Sequence, residues 1–312
     1  MKKCVITGAT GFVGANLARR LLCDGHEVHL FIRREYSSWR IEHIKNQIQK
    51  HEIDFQDADS VNCIVAKIKP DWIFHLATYG AYSSQQDVDT IYKTNLIGTI
   101  NLLDACCRTG FESFVNTGSS SEYGLKSNAP AEGEILEPNS NYAIAKAAAT
   151  HFCQYTANKH QLNIPTLRLY SVYGPYEEPS RLIPSLVKYG FMCTLPPLVD
   201  PKISRDFVYI DDVCDAFILA AKRTSKSYGA IFNVGTGLQT SLEDLVALTR
   251  RLFKIDEIPN WGSMPNRLWD TTNWQANIKK IESELGWRPK YSLESGFSET
   301  IKWFSDNPEA LK

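Results

Sequence analysis

A doubly wound α/β protein is predicted from three features of this sequence. Apolar, strand-like runs alternate with amphipathic helical stretches through the first half, a glycine-rich turn follows the first run, and a proline-punctuated remainder breaks the alternation. The first strand is "KCVIT", and "NLARRLLCDG" has the periodicity of the helix after it. "EVHLFI", "DWIFHLA", "SFVNT" and "IPTLRLY" read as further buried strands, with "TNLIGTINLLDACCRTG" as an intervening helix. Strict alternation requires crossover connections, hence a parallel sheet with helices on both faces. After about Pro175 the texture changes: Pro184, Pro196, Pro197 and Pro201 punctuate shorter elements. "RDFVYIDD" and "AIFNVG" read as strands able to return to the sheet, and "IKKIESELGWRP" and "LESGFSETIKWFSD" as C-terminal helices.

The 312 residues suffice for one large α/β domain or a domain with a smaller lobe. A formal charge of -1, with 43% apolar and 22% charged residues, gives no electrostatic reason to expect nucleic acid or an anionic membrane as partner. No apolar run approaches the roughly 18 residues of a membrane helix, and glycines interrupt any signal-peptide core near the start; a cytoplasmic protein is expected. The eight cysteines include no CxxC pair and read as reduced core thiols. His26 and His29 in "HEVH" point to opposite faces of a strand, so no metal site is expected.

"TGATGFVGANLARRLL" places Gly8, Gly11 and Gly14 between the first strand and the first helix. There Gly8 allows a tight turn, Gly11 lets backbone amides approach a pyrophosphate, and Gly14 lets helix and strand pack closely, while the helix N-terminus supplies partial positive charge. A dinucleotide is the expected ligand. Residues 1–174 read as the dinucleotide-binding domain, its sheet completed by strands from 203–235. Residues 175–312 read as a smaller, mainly substrate-binding α/β region that caps the first, with substrate between them.

"NSNYAIAKAAATHF" puts Tyr142 and Lys146 four apart, on one helix face. A phenol of pKa about 10 is a poor base at neutral pH. A neighbouring ammonium and an oxidised nicotinamide would favour the phenolate.

In this order, "TGATGFVG", "FHLAT", "TNLIGTINLL", "GSSSEYG", "YAIAK", "LRLYSVYGP", "RDFVYIDD" and "LGWRP" resemble the extended short-chain dehydrogenase/reductase superfamily, specifically its NAD-dependent epimerase/dehydratase family of nucleotide-sugar enzymes. The likeness spans nearly the whole chain, although the glycine spacing is GxxGxxG. It implies a Rossmann-type sheet and a cofactor site built from Gly8, Thr10, Gly11, Phe12, Val13 and Gly14. Asp54 and Phe55 match positions beside the adenine, Leu76, Ala77 and Thr78 the turn after the fourth strand, and Tyr170 a position against the nicotinamide. Asn95 matches an asparagine beside the cofactor, or else is a buried structural hydrogen bonder. Tyr142 and Lys146 match the proton-transfer pair, Lys146 also bonding the nicotinamide ribose, and Ser119 the hydroxyl partner of the tyrosine. Tyr123 reads as a wall residue.

The end of the second strand, "FIRREYSS", lacks the carboxylate that NAD-using relatives carry for the ribose hydroxyls. Arg33 and Arg34 instead offer guanidinium forks suited to a 2′-phosphate, unless they are a solvated surface pair. This stretch resembles GDP-mannose 4,6-dehydratases, so NADP(H) is favoured over NAD(H). Arg205 and Arg267 match arginines that clamp a substrate diphosphate, unless each is a surface salt-bridge residue, and Ser171 replaces the usual asparagine. Arg168, inside an apolar strand, reads as a paired structural arginine. A homodimer through helices around 84–109 and 142–160 is implied by the resemblance.

Reaction type turns on "TGSSSEYG". A 4,6-dehydratase places acid/base residues two and three positions before the tyrosine corresponding to Tyr123; here Ser121 and Ser120 fill those slots and are assigned to substrate binding. Glu122 is one residue late, which on an extended segment turns it to the opposite face. The reading is NADPH-dependent reduction of a 4-keto-6-deoxy nucleoside-diphosphate sugar. The alternatives are 4-epimerisation, then 4,6-dehydration, or a non-catalytic dinucleotide sensor.

Overall fold

The computed structural model describes residues 1–224, 227–266 and 270–311. Its first half runs β1 (Lys3–Thr7), α1 (Phe12–Cys23), β2 (Glu27–Ile32), β3 (Gln49–Glu52), α2 (Ala58–Ile68), β4 (Trp72–His75), α3 (Val88–Tyr92), α4 (Gly98–Thr109), β5 (Ser113–Ser119), α5 (Asn141–His160) and β6 (Thr166–Leu169). A π-helical turn, Lys93–Ile97, joins α3 to α4, and a 3-10 turn, Ser120–Tyr123, follows β5. The rest comprises β7 (Ser171–Tyr173), α6 (Leu182–Phe191), β8 (Ser204–Arg205), β9 (Phe207–Tyr209), α7 (Ile210–Ala221), β10 (Ile231–Val234), β11 (Thr240–Ser241), α8 (Leu242–Phe253), α9 (Lys279–Leu285) and α10 (Leu293–Asp306).

The expected parallel sheet has seven strands in the order β10-β6-β5-β4-β1-β2-β3. Of the two late strands, β10 joins this sheet, whereas β9 pairs in parallel with β7 in a separate two-stranded sheet. The strands are apolar on both faces because helices cover both. On one face Val61, Val65, Leu102, Leu103 and Cys153 pack over Val5, Ile73 and Phe114. On the other, Phe217 of α7 meets Phe74 edge-on at 6.2 Å, and Arg20 of α1 pairs with Asp215 of α7 at 2.6 Å. Among the cysteines, Cys4, Cys106, Cys153 and Cys214 are buried as expected of core thiols, but Cys23, Cys63 and Cys193 are exposed. No helix among the described residues is long and apolar enough to cross a membrane.

The chain forms two compact units. The first comprises Met1–Gly124, Glu134–Leu169 and Cys214–Phe232; the second comprises Leu125–Gly133, Tyr170–Val213 and Asn233–Lys312. Two buried carboxylates organise the second. Asp212 accepts from the backbone amides of Lys290 (2.9 Å) and Tyr291 (3.1 Å), while its carbonyl receives the buried Trp287 indole N–H at 2.8 Å. Asp206, fully buried just before β9, accepts from Thr236 N and Oγ1, Gly237 N and Ala276 N at 2.6, 2.7, 2.9 and 3.0 Å. Burial pushes the Asp206 carboxyl pKa up, and these hydrogen bonds oppose the rise.

Asp206→Asn turns an amide donor toward backbone N–H donors whichever way it is flipped. We expect a loss of about 2–3 kcal/mol, read as a lowered urea midpoint at unchanged slope.

Candidate active site

The sheet order reverses between β1 and β4, where an open α/β sheet forms its ligand crevice at the strands' C-terminal ends. Thr7 closes β1 there and His75 closes β4. Gly8 follows with φ +67°, and a Cβ on it would lie 2.6 Å from Leu76 O and 2.7 Å from Ala77 N, so only glycine fits. A Cβ on Gly14 would lie 2.5 Å from Gly8 O, which lets α1 sit directly on the turn. Gly11 donates to Gly8 O at 3.0 Å and is the N-cap of α1, with no side chain capping the helix. A helix N-terminus with no side-chain cap, behind a turn whose glycines leave the backbone bare at positions 8 and 11, is a cradle for an anion, and a dinucleotide pyrophosphate fits it. Thr10, Phe12 and Val13 line this turn, half-buried.

Arg33 and Arg34 lie just beyond β2, exposed, and among the described residues neither makes a hydrogen bond or ion pair. Asp54 is also exposed; its carboxylate accepts from Gln56 N at 2.9 Å, shaping the turn that presents half-buried Phe55. Leu76 and Ala77 are buried and Thr78 exposed. Asn95, 1% exposed in the π-helical turn, accepts through Oδ1 from Tyr79 N (2.9 Å) and Thr78 Oγ1 (3.1 Å) and donates through Nδ2 to Tyr79 O (2.7 Å). It is therefore a buried hydrogen bonder that also fixes the turn after β4.

Of the three predicted catalytic residues, α5 carries Tyr142 and Lys146 and is bonded to the end of β5 that carries Ser119. Lys146 Nζ donates to the carbonyl of Thr117 in β5 at 2.8 Å, two residues before Ser119. One turn later, Thr150 donates to Glu122 Oε1 at 3.1 Å, and the same oxygen accepts from Ser119 N at 2.8 Å. Tyr142 precedes Lys146 by one turn on the same helix face. Lys146 is 5% exposed; burial pulls its pKa down to about 8, opposed by the negative charge of Glu122. An ammonium so poised can share a proton near neutral pH.

The segment after Ser119 differs from the extended form expected of it. It is a 3-10 turn in which Ser121 N donates to Ser119 Oγ at 3.2 Å and Ser120 is buried. This winding sends Glu122 inward, 0% exposed, onto Arg168 Nε at 2.8 Å. Arg168 is thus the paired structural arginine its apolar strand requires. Tyr123, 1% exposed with the Arg168 guanidinium 4.5 Å above its ring, belongs to the core and is not a wall residue.

In the second unit, Arg205 pairs with Asp270 at 2.7 Å and lies 5.6 Å from the Trp274 ring, whose centroid is 6.5 Å from that of Tyr170. Ser171, half-buried, donates its backbone N–H to Asp206 O at 3.0 Å. Arg267 lies outside the described residues. Among the described residues no group of three or more His, Cys, Asp or Glu side chains could hold a metal ion.

The family model described as "NAD dependent epimerase/dehydratase family" matches residues 4–235. A UDP-glucose 4-epimerase of Mycolicibacterium smegmatis is 29% identical, over 98% of this chain and 100% of that protein. Among solved structures, the UDP-glucose 4-epimerase of Thermotoga maritima with UDP-glucose superposes with TM-score 0.88 at 25% identity, covering 98% of this chain and 99% of that one. The UDP-glucuronic acid 4-epimerase of Bacillus cereus, in complex with UDP-glucuronic acid and NAD, gives TM-score 0.86 at 25% identity with the same coverages.

Because Lys146 loses its proton at about pH 8 in the folded protein and about 10.5 unfolded, its burial opposes folding at neutral pH. Lys146→Met should therefore stabilise the cofactor-free protein by roughly 1–2 kcal/mol near pH 7 after loss of the bond to Thr117. The unfolded state binds more protons between those values, so the parent gains stability as pH rises through that window and the variant's advantage shrinks. Urea denaturation at several pH values reads this directly; a variant less stable at pH 7 contradicts it.

Proposed function

Since the chain belongs to the NAD dependent epimerase/dehydratase family, we propose that it acts with a nicotinamide cofactor at a sugar carbon of a nucleoside-diphosphate sugar, reducing the ketone of a 4-keto-6-deoxy sugar with NADPH. The observation that carries the reaction type is the fate of Glu122. Expelling water across two sugar carbons needs an acid/base group beside the ketone, yet the one carboxyl of the "TGSSSEYG" stretch is sealed against Arg168 without solvent contact. Ketone reduction requires only a hydride and one proton.

In this reading Ser119 hydrogen-bonds the sugar oxygen, Tyr142 donates its proton, and Lys146 lowers the tyrosine's proton affinity while holding the nicotinamide ribose. A bound nicotinamide supplies the hydride. The glycine turn holds the pyrophosphate, with Asp54, Phe55, Leu76, Ala77, Thr78 and Tyr170 around the rest of the cofactor. Arg33 and Arg34, exposed and uncommitted to protein partners among the described residues, suit a 2′-phosphate and motivate the choice of NADP(H). Arg205 and Arg267 are assigned to the substrate diphosphate, and Ser120, Ser121 and Ser171 to other polar contacts with the substrate.

A second reading, 4-epimerisation, is supported by the full-length similarity to a UDP-glucose 4-epimerase. It uses the same three residues but leaves the cofactor unchanged after each turnover. A homodimer belongs to the same proposal: Val88, Ile97, Ile144 and Tyr155 are exposed on the helices around α3–α5. Sedimentation at micromolar concentration should give twice the chain mass.

Assayed with 4-keto-6-deoxy and intact nucleotide sugars, the protein should consume one NADPH per product and bind NADPH more tightly than NADH. Turnover of an intact hexose without net cofactor change would reject reduction in favour of epimerisation. Tyr142→Phe should lower kcat at least about 100-fold while dinucleotide affinity, by fluorescence titration, changes little.

A further inference from the structure

His75 closes β4 at the strand crossover. It is 1% exposed and flanked by Phe55 and Phe114, with ring centroids at 6.1 and 5.8 Å. Nothing in the chemistry above uses it, although both its nitrogens are engaged: Nδ1 lies 2.9 Å from Thr7 Oγ1, and Nε2 lies 2.9 Å from Thr99 Oγ1.

The surrounding bonds fix every proton in this row. Thr99 Oγ1 donates its hydrogen to the Asn95 carbonyl at 2.8 Å, so it must accept from His75 Nε2–H. Nδ1 is then the bare nitrogen and accepts from the Thr7 hydroxyl. Thr7 Oγ1 in turn accepts the backbone N–H groups of Leu76 and Ala77 at 3.0 and 2.9 Å, which leaves it no use for a third donor. The reverse tautomer would bring Nδ1–H as a third donor onto Thr7 Oγ1 and leave a bare Nε2 facing Thr99 Oγ1, whose hydrogen is already given to Asn95 O, so that two acceptors meet there. Burial, with the nearby Lys146 charge second, pushes the imidazole pKa down to about 3, so the ring stays neutral at any working pH.

Both ends of the row lead to the site. At one end, Thr7 holds the Leu76–Ala77 peptide at the distance that admits only hydrogen on Gly8. At the other, Asn95 grips the backbone of Tyr79. The next residue, Gly80, packs so that a Cβ on it would meet Ile91 at 3.0 Å and the Cβ of Tyr142 at 3.4 Å.

We infer that His75 is a positioning residue: as a single Nε2–H tautomer it locks the glycine turn of β1 to the Asn95 turn beside Tyr142, so that dinucleotide and proton donor are held in one register. This rests on the reading of the site as a nicotinamide-dependent one.

The test separates the two ends of the ring. In the full-length parent protein labelled with 15N-histidine, long-range 15N–1H correlations should show His75 protonated at Nε2 and bare at Nδ1, unchanged from about pH 6 to about pH 9. His75→Asn places an amide oxygen near the Nδ1 position and retains the Thr7 link only. His75→Gln places an amide nitrogen near Nε2 and retains the Thr99 link only. We expect His75→Gln to weaken NADPH binding about tenfold with a smaller effect on kcat, and His75→Asn to lower kcat about tenfold with a smaller effect on NADPH binding. An Nδ1–H tautomer or a ring that titrates in the parent overturns the inference, whether or not the variants fold. Equal losses of affinity and kcat in both variants, or no loss in either, overturn it as well. If the parent shows the expected tautomer but binds no dinucleotide, the functional reading fails and the proton arrangement stands.

Discussion

The buried ion pair between Glu122 and Arg168 holds the end of β5 in place, and much of the candidate site is built on it. Glu122 Oε1 takes the Ser119 backbone N–H and the Thr150 hydroxyl, while Oε2 takes the Arg168 guanidinium from the neighbouring strand. One carboxylate thereby ties together two strands, the 3-10 turn and the helix carrying Tyr142 and Lys146. Such pairs contribute little net stability compared with an apolar replacement, but removing one partner leaves a buried charge and costs about 3–5 kcal/mol. Its contribution is geometric: it sets the direction of the chain where Ser119 leaves the sheet.

A second charge makes the opposite arrangement. Lys146 is buried with a backbone carbonyl as its acceptor and no carboxylate at hydrogen-bond distance among its described contacts. Its ammonium is therefore poorly compensated, unlike Arg168, whose charge is neutralised at contact. Within one helix turn of each other, α5 carries a residue whose charge is strained and a residue, Thr150, whose hydroxyl reinforces a satisfied carboxylate. Proton transfer draws on the first kind of site and rigidity on the second.

The strands and the glycine turn were legible in the sequence because the physics there is local. β1, β2, β4, β5 and β6 are buried on both faces and so read as apolar runs, and the turn must be glycine where backbone passes backbone. β3 was not legible: Gln49, Lys50 and Glu52 are exposed and polar, with no periodicity to find. The winding after Ser119 had a local signal, the S-x-x-E capping box of Ser119 and Glu122, which a reading of the segment as extended passes over; what only the fold supplies is Arg168, 46 residues beyond Glu122, as partner of its other oxygen. Thr7, His75, Asn95 and Thr99 lie on three strand and helix ends far apart in the chain. Each alone is an ordinary polar residue in an apolar element, and only the fold relates them.

The polar character of β3 has a consequence for how the protein behaves among copies of itself. β3 is the last strand of the seven, so one of its sides presents amide and carbonyl groups that no further strand of that sheet satisfies. An apolar strand in this place would be a template for a stray segment from another chain, and parallel sheets left open in this way grow. With Lys50 and Glu52 at the rim, any chain adding there must strip water from two charges before gaining its first ladder bond. The strand least visible to a search for hydrophobic pattern is, for the same reason, poorly suited to receive a further strand at its edge of the sheet.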